Sequence, residues 1–200
     1  MSNRFLLASS LVALMVGAAG AAPPPVTGRI TGSVKATGLA SNADAVVYLV
    51  QVPGTVAPPT VTMDQKSMQF IPHVLPVVLG ATVKFLNGDP TAHNVFSPDN
   101  EKFNLGTWPQ GQTKDYVFDK CVKAPCAYTL LCRVHAEMEG FVVVMQNPFF
   151  AVSGRDGKYT IANVPAGTYS VAVWHSKLKG KPQSVTVGAG PVTIDFTLAK

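Results

Sequence analysis

The sequence predicts an all-β protein. Val, Thr and aromatic residues gather in runs of strand length, and Gly and Pro, 17 and 16 of the 200 residues, punctuate them. No long stretch carries the 3.6-residue period of an amphipathic helix. "TVKFLN" (82–87), "KDYVFD" (114–119), "AYTLLC" (127–132), "GFVVVMQ" (140–146), "KYTIANV" (158–164), "GTYSVAVWH" (167–175), "QSVTVG" (183–188) and "VTIDFTLA" (192–199) read as strands.

The chain opens "MSNRFLLASSLVALMVGAAGAAPPP", with a single early charge at Arg4, an apolar stretch from Phe5 to about Ala19, and small residues up to Ala21. This is the pattern of an export signal, residues 1–21, cleaved near Ala21. The apolar run falls short of the roughly 20 residues of a spanning helix, so the expected product is periplasmic or secreted, without a transmembrane segment. Removing Arg4 with the leader leaves fifteen basic and eleven acidic residues, a net charge of +4. With charged residues at 14% and no basic block, the composition argues against a nucleic-acid partner.

Export makes three cysteines an arithmetic problem, because oxidising conditions pair thiols and one is left over. Cys121 and Cys126 flank a short loop containing Pro125 and are the natural disulfide pair. A metal site at these two lacks a nearby histidine. Closing so small a loop is worth about 2 kcal/mol, enough to tidy a hairpin.

The remaining thiol, Cys132, lies in "LLCRVHAEMEGFVVV", where His135 and Met138 follow at steps of three. On a helix such steps rotate the side chains progressively apart, whereas a loop after the strand "AYTLLC" can fold all three around one point. Thiolate, imidazole and thioether suit a soft metal, and two His, one Cys and a weak axial Met are the donors of electron-transfer copper. The second imidazole is expected from His93, in a loop after "ATVKFLN" and the Gly88-Asp89-Pro90 turn, with Asn94 beside it placed to tie the two ligand loops together. Zinc would leave Met138 without a role, since it prefers N, thiolate and carboxylate donors.

"FIPHVLPVVLGATVKFLNGDPTAHNVFS" followed by "YTLLCRVHAEMEGFVVV" resembles the cupredoxins, the small blue-copper Greek-key β-sandwiches, over roughly residues 60–146. The Cys-x2-His-x2-Met spacing is similar to that of amicyanin more than of plastocyanin or pseudoazurin. The resemblance implies one type 1 copper per chain, with His93, Cys132 and His135 as strong ligands and Met138 as the axial one. It also implies one-electron transfer through the exposed edge of His135, flanked by Val134 and Ala136, to a redox protein such as a dehydrogenase or c-type cytochrome. Two features depart from the pattern. Val134 stands where amicyanin-like loops carry Pro, and Glu137 offers an oxygen that competes with Met138 for the axial position.

A second pattern, "GRDGKYTIANVPAGTYSVAVWH", resembles the carboxypeptidase regulatory-like family, a transthyretin-like β-sandwich, over residues 148–200. Its expected first strands are missing just upstream and appear near the N-terminus in "GRITGSVKATGLASNADAVVYLVQV". The expectation is one discontinuous sandwich, residues 26–56 plus 148–200, with a cupredoxin domain of residues 57–147 inserted in it. The alternative is two consecutive domains, with the N-terminal strands joining the cupredoxin sheet. Chains of this two-part kind are often labelled methylamine-utilisation proteins.

His73, His93, His135 and His175 are the only histidines. With two assigned to one copper, an oxidase-type second or trinuclear copper centre cannot be built, and no Ser-His-Asp grouping stands out. The sequence therefore predicts an electron carrier rather than an enzyme. The alternative is a copper-handling protein that delivers or stores the ion. His73 is expected to be a satisfied or surface side chain, and His175, before Lys177, Lys179 and Lys181, a solvated turn residue.

Overall fold

In the computed structural model, residues 26–52 and 56–200 are described. The predicted leader lies outside them. Strands β1 (Thr27–Ala36) and β2 (Val46–Leu49) come first. Then follow β3 (Thr60–Lys66), β4 (Gln69–Ile71), β5 (Val74–Val78), β6 (Thr82–Asn87), β7 (His93–Ser97) and β8 (Phe103–Trp108). β9 (Thr113–Val117), β10 (Cys126–Leu131) and β11 (Glu139–Met145) complete the middle of the chain. The last six are β12 (Phe150–Val152), β13 (Lys158–Pro165), β14 (Gly167–Trp174), β15 (Gln183–Val187), β16 (Pro191–Thr193) and β17 (Phe196–Leu198). The described residues are all-β, as the sequence predicts.

Four sheets form two sandwiches. The middle strands make the sheets β4-β3-β6-β9 and β5-β11-β10-β7-β8. Between them lies a core that includes Met63, Phe85, Trp108, Phe118, Tyr128, Leu130 and Val142. β6 illustrates the local logic: "TVKFLN" alternates half-buried and buried positions, so Val83, Phe85 and Asn87 face inward. The outer strands make the sheets β13-β1-β16, where β17 also pairs β1, and β12-β2-β14-β15. Ile30, Leu49, Ile161, Val171 and Leu198 fill their core.

"VTIDFTLA" is not one strand. It divides into β16 and β17, both parallel to β1. Between them the Asp195 carboxylate accepts the Ser33 backbone N–H at 2.7 Å and the Ser33 hydroxyl at 2.8 Å, while the Ile194 carbonyl accepts the Tyr159 hydroxyl. The alternation of burial runs unbroken from Val192 to Leu198; what is interrupted is the backbone pairing with β1, because the Asp195 side chain takes the Ser33 N–H.

β11 joins the two sandwiches. It pairs β10 on one edge and β5 on the other, and every residue after Glu139 is buried. Val142 and Val144 point into the first core. Phe141, Val143 and Met145 face the opposite way into a third cluster with Val46, Val74, Tyr48, Val152 and Trp174. Phe141 and Trp174 meet edge-on, their ring centroids 5.6 Å apart. A run of apolar residues with no polar face is what a strand covered on both sides requires.

His73, just before β5, spans the same junction. Its Nδ1 lies 2.9 Å from Asp44 Oδ2, with the side chains 43% and 40% exposed. The hydrogen bond raises the His73 pKa and lowers that of Asp44, in each case against desolvation; Glu139 adds to the rise at His73 and Lys177 opposes it. The pair is therefore complete above the ordinary carboxylate value near 3.9 and below the ordinary imidazole value near 6.5. Its stabilisation is lost as pH rises through the elevated His73 pKa, and again as pH falls through the depressed Asp44 pKa. Exposure limits it to about 1 kcal/mol or less. Asp44→Asn, which tolerates the local φ of 69°, should be slightly less stable than wild type in urea unfolding near pH 6. The two should converge above the His73 pKa.

Candidate metal centre

Cys132 follows β10 directly, and β10 pairs β7 at Leu131 and Phe96. That pairing sets the segment after β10 beside the start of β7. His93 is not in a loop, as the sequence reading expects: it is the first residue of β7, opposite Trp108 in β8. The Gly88-Asp89-Pro90 turn ends earlier than the spacing suggests, and His93 is fully buried.

His93, Cys132 and His135 offer donor atoms that all lie within 4.8 Å of one another. His93 Nδ1 is 3.1 Å from His135 Nδ1 and 3.9 Å from Cys132 Sγ. Metal–nitrogen bonds of about 2.0 Å and metal–sulfur bonds of about 2.3 Å, at near-tetrahedral to trigonal angles, put donor atoms about 3.3–3.7 Å apart. These two spacings match within a few tenths of an ångström, and with the third pair also within 4.8 Å the residues can close around one soft or borderline ion. His135 is half-buried and Val134 is 50% exposed, which gives the cluster one edge toward solvent.

Met138 is 1% exposed and packs in the same core as Cys132. Its N–H bonds the His135 carbonyl at 3.1 Å, closing the loop into a tight turn. Glu137 is exposed. Asn94 links both ligand segments: its N–H donates to Cys132 Sγ at 3.4 Å, and its Oδ1 accepts the Arg133 N–H. Its amide nitrogen donates to Asn104 and to the Gly106 carbonyl in β8. Cys121 and Cys126 form a disulfide, leaving Cys132 as the free, buried thiol. His73 and His175 stand apart from the cluster, lining a separate recess with Asp44 and Lys177.

One residue the sequence reading does not single out is Asp89. Its Oδ2 lies 2.9 Å from His93 Nε2. The carboxylate also accepts the N–H groups of Ser67 at 2.7 Å and Met68 at 2.9 Å. The Met68 N–H above all, then the His93 and Ser67 hydrogen bonds, lower its pKa against the opposing effect of burial. An ionised carboxylate only accepts, so His93 carries its proton on Nε2 and turns the Nδ1 lone pair toward Cys132 and His135. Ser67 and Met68 are the two central residues of the β3–β4 turn, both at φ 55°. Left-handed backbone at non-glycine positions costs about 1–3 kcal/mol each, and the shared carboxylate offsets part of it. The signal available in the sequence is an acid four residues before His93.

The family model that matches is described as Polysaccharide lyase family 4, domain II, and covers residues 137–194. It carries a different name from the regulatory-like resemblance and begins one residue before Met138. No curated protein sequence matches the chain. Among solved structures, it is similar to a copper-containing nitrite reductase from Thermus scotoductus, at 25% identity and TM-score 0.40; the match covers 50% of this chain and 25% of that one. The oxidized state of a proline-to-alanine mutant of amicyanin matches at 23% identity and TM-score 0.39, over 43% of this chain and 82% of that one. A purple cupredoxin from Nitrosopumilus maritimus matches at 22% identity and TM-score 0.37, over 42% of this chain and 99% of that one.

Proposed function

We propose that this chain is an exported type 1 copper protein that carries single electrons between redox proteins, with His93, Cys132 and His135 as equatorial ligands and Met138 as the axial one. The observation that carries the reading is the buried thiol set against two imidazole nitrogens at metal-ligand spacing. Copper supplies the Cu(II)/Cu(I) couple. The protein supplies the rest: strands β7 and β10 fix two donors, Asn94 bridges their segments, and the packed core limits rearrangement between oxidation states. The burial of Met138 against the exposure of Glu137 favours the thioether as the axial donor. His135 is the exit edge toward a dehydrogenase or c-type cytochrome, with Val134 as an apolar contact and Arg133 and Glu137 at its rim.

Residues 57–147 are, on this reading, a metal-binding domain inserted between the two parts of the outer sandwich, which the separate cores support. No group in the reading performs catalysis.

Adding Cu(II) to the purified protein tests the proposal. One equivalent should give an intense visible thiolate-to-copper band that disappears on reduction and returns on oxidation. A protein that holds Cu(I) tightly and stays colourless with Cu(II) would replace electron carriage with copper delivery or storage.

A further inference from the structure

The β3–β4 hairpin turns on Ser67 and Met68 alone, Lys66 pairing Gln69 on either side. Two-residue turns with positive φ at both positions favour Asn and Gly. This one uses neither, and Met68 projects at 49% exposure. The turn persists because its two successive N–H groups converge on one carboxylate, a backbone nest of the kind that holds anions. That carboxylate belongs to Asp89, 21 residues from Met68, and its Oδ2 also meets His93 Nε2. Gln110 and Asn87 stiffen the same corner: Gln110 Nε2 donates to the Gly88 carbonyl, and the Asp89 N–H donates to Asn87 Oδ1.

We infer that the Ser67–Met68 turn is a positioning element for His93: its paired N–H groups orient Asp89, and Asp89 fixes the ring whose Nδ1 faces Cys132. This deepens the copper reading and rests on it for its consequence, though the positioning exists in the metal-free protein as well.

The test uses the full chain in three forms: wild type, Asp89→Asn, and a variant whose Ser67–Met68 pair is replaced by a four-residue Gly/Ser loop. Nitrogen-15 NMR of the histidine rings in metal-free protein reads the tautomer. Wild type should show His93 protonated at Nε2 alone, and both variants a mixture of tautomers. Copper affinity should fall about 10- to 100-fold in each, the range for loss of an outer partner of a ligand histidine. Met68→Gly keeps the N–H and suits the backbone, so it should retain the wild-type tautomer and affinity. Slowed exchange of the Ser67 and Met68 amides in wild type provides a reading that no variant's failure to fold can remove. Unslowed amides, or a loop variant with wild-type tautomer and affinity, would overturn the inference. A wild type that binds no copper yet shows the single tautomer would sink the copper reading and leave the positioning intact.

Discussion

Cys132→Ser should abolish the visible band altogether and lower copper affinity by more than the 10- to 100-fold typical of outer-partner changes. The substitution exchanges one atom at a buried position whose thiol accepts only the Asn94 N–H and approaches His93. A hydroxyl can accept the same N–H, so unfolding by urea should remain cooperative. Serine is not ionised at neutral pH and gives copper neither thiolate charge transfer nor a soft equatorial bond. The variant therefore separates ligation from folding: absorption and EPR report the first, circular dichroism the second. A variant that keeps the intense band would remove Cys132 from the site.

Phe141→Ala should cost about 3–5 kcal/mol, read as a fall in the urea midpoint. The ring is 7% exposed and fills the junction between the sandwiches, edge-on to Trp174 and 5.5 Å from the His73 ring. Its backbone N–H to the His73 carbonyl survives the change. The ligand cluster lies on the other side of Gly140, so the copper band should keep its position while stability drops. If the two sandwiches unfold separately in the variant and together in wild type, the junction cluster is what couples them.

Much of the architecture was legible because alternation is a local property. β6, β13 and β14 announce themselves in "TVKFLN", "KYTIANV" and "GTYSVAVW", whose side chains divide between core and solvent. The cluster was legible because Cys, His and Met at steps of three after a strand have few other uses. Asp89 was hidden in turn chemistry: "GDP" reads as a bend whatever its carboxylate holds, and its partners come from a hairpin 21 residues upstream. The break at Ile194–Asp195 depends on Ser33, 162 residues away, which no window on the sequence contains. β11 was recognisable as a strand, but its lack of alternation did not say what lay on its second face. That required β2 and β14 to be placed against it.

β2 and β12 lie side by side and antiparallel, Tyr48 opposite Phe150, with the Leu49 N–H donating to the Phe149 carbonyl. To the outer sandwich, everything from residue 50 to residue 149 is therefore a single hairpin loop of 100 residues. Polymer statistics make such a loop only about 3 kcal/mol costlier to close than a four-residue one, and a folded passenger that brings its own ends together removes most of that. The sandwich grips this loop at two places, the paired strand ends and the face of β2 and β14 on which Phe141, Val143 and Met145 pack, so a change on either side of that face has to be matched on the other.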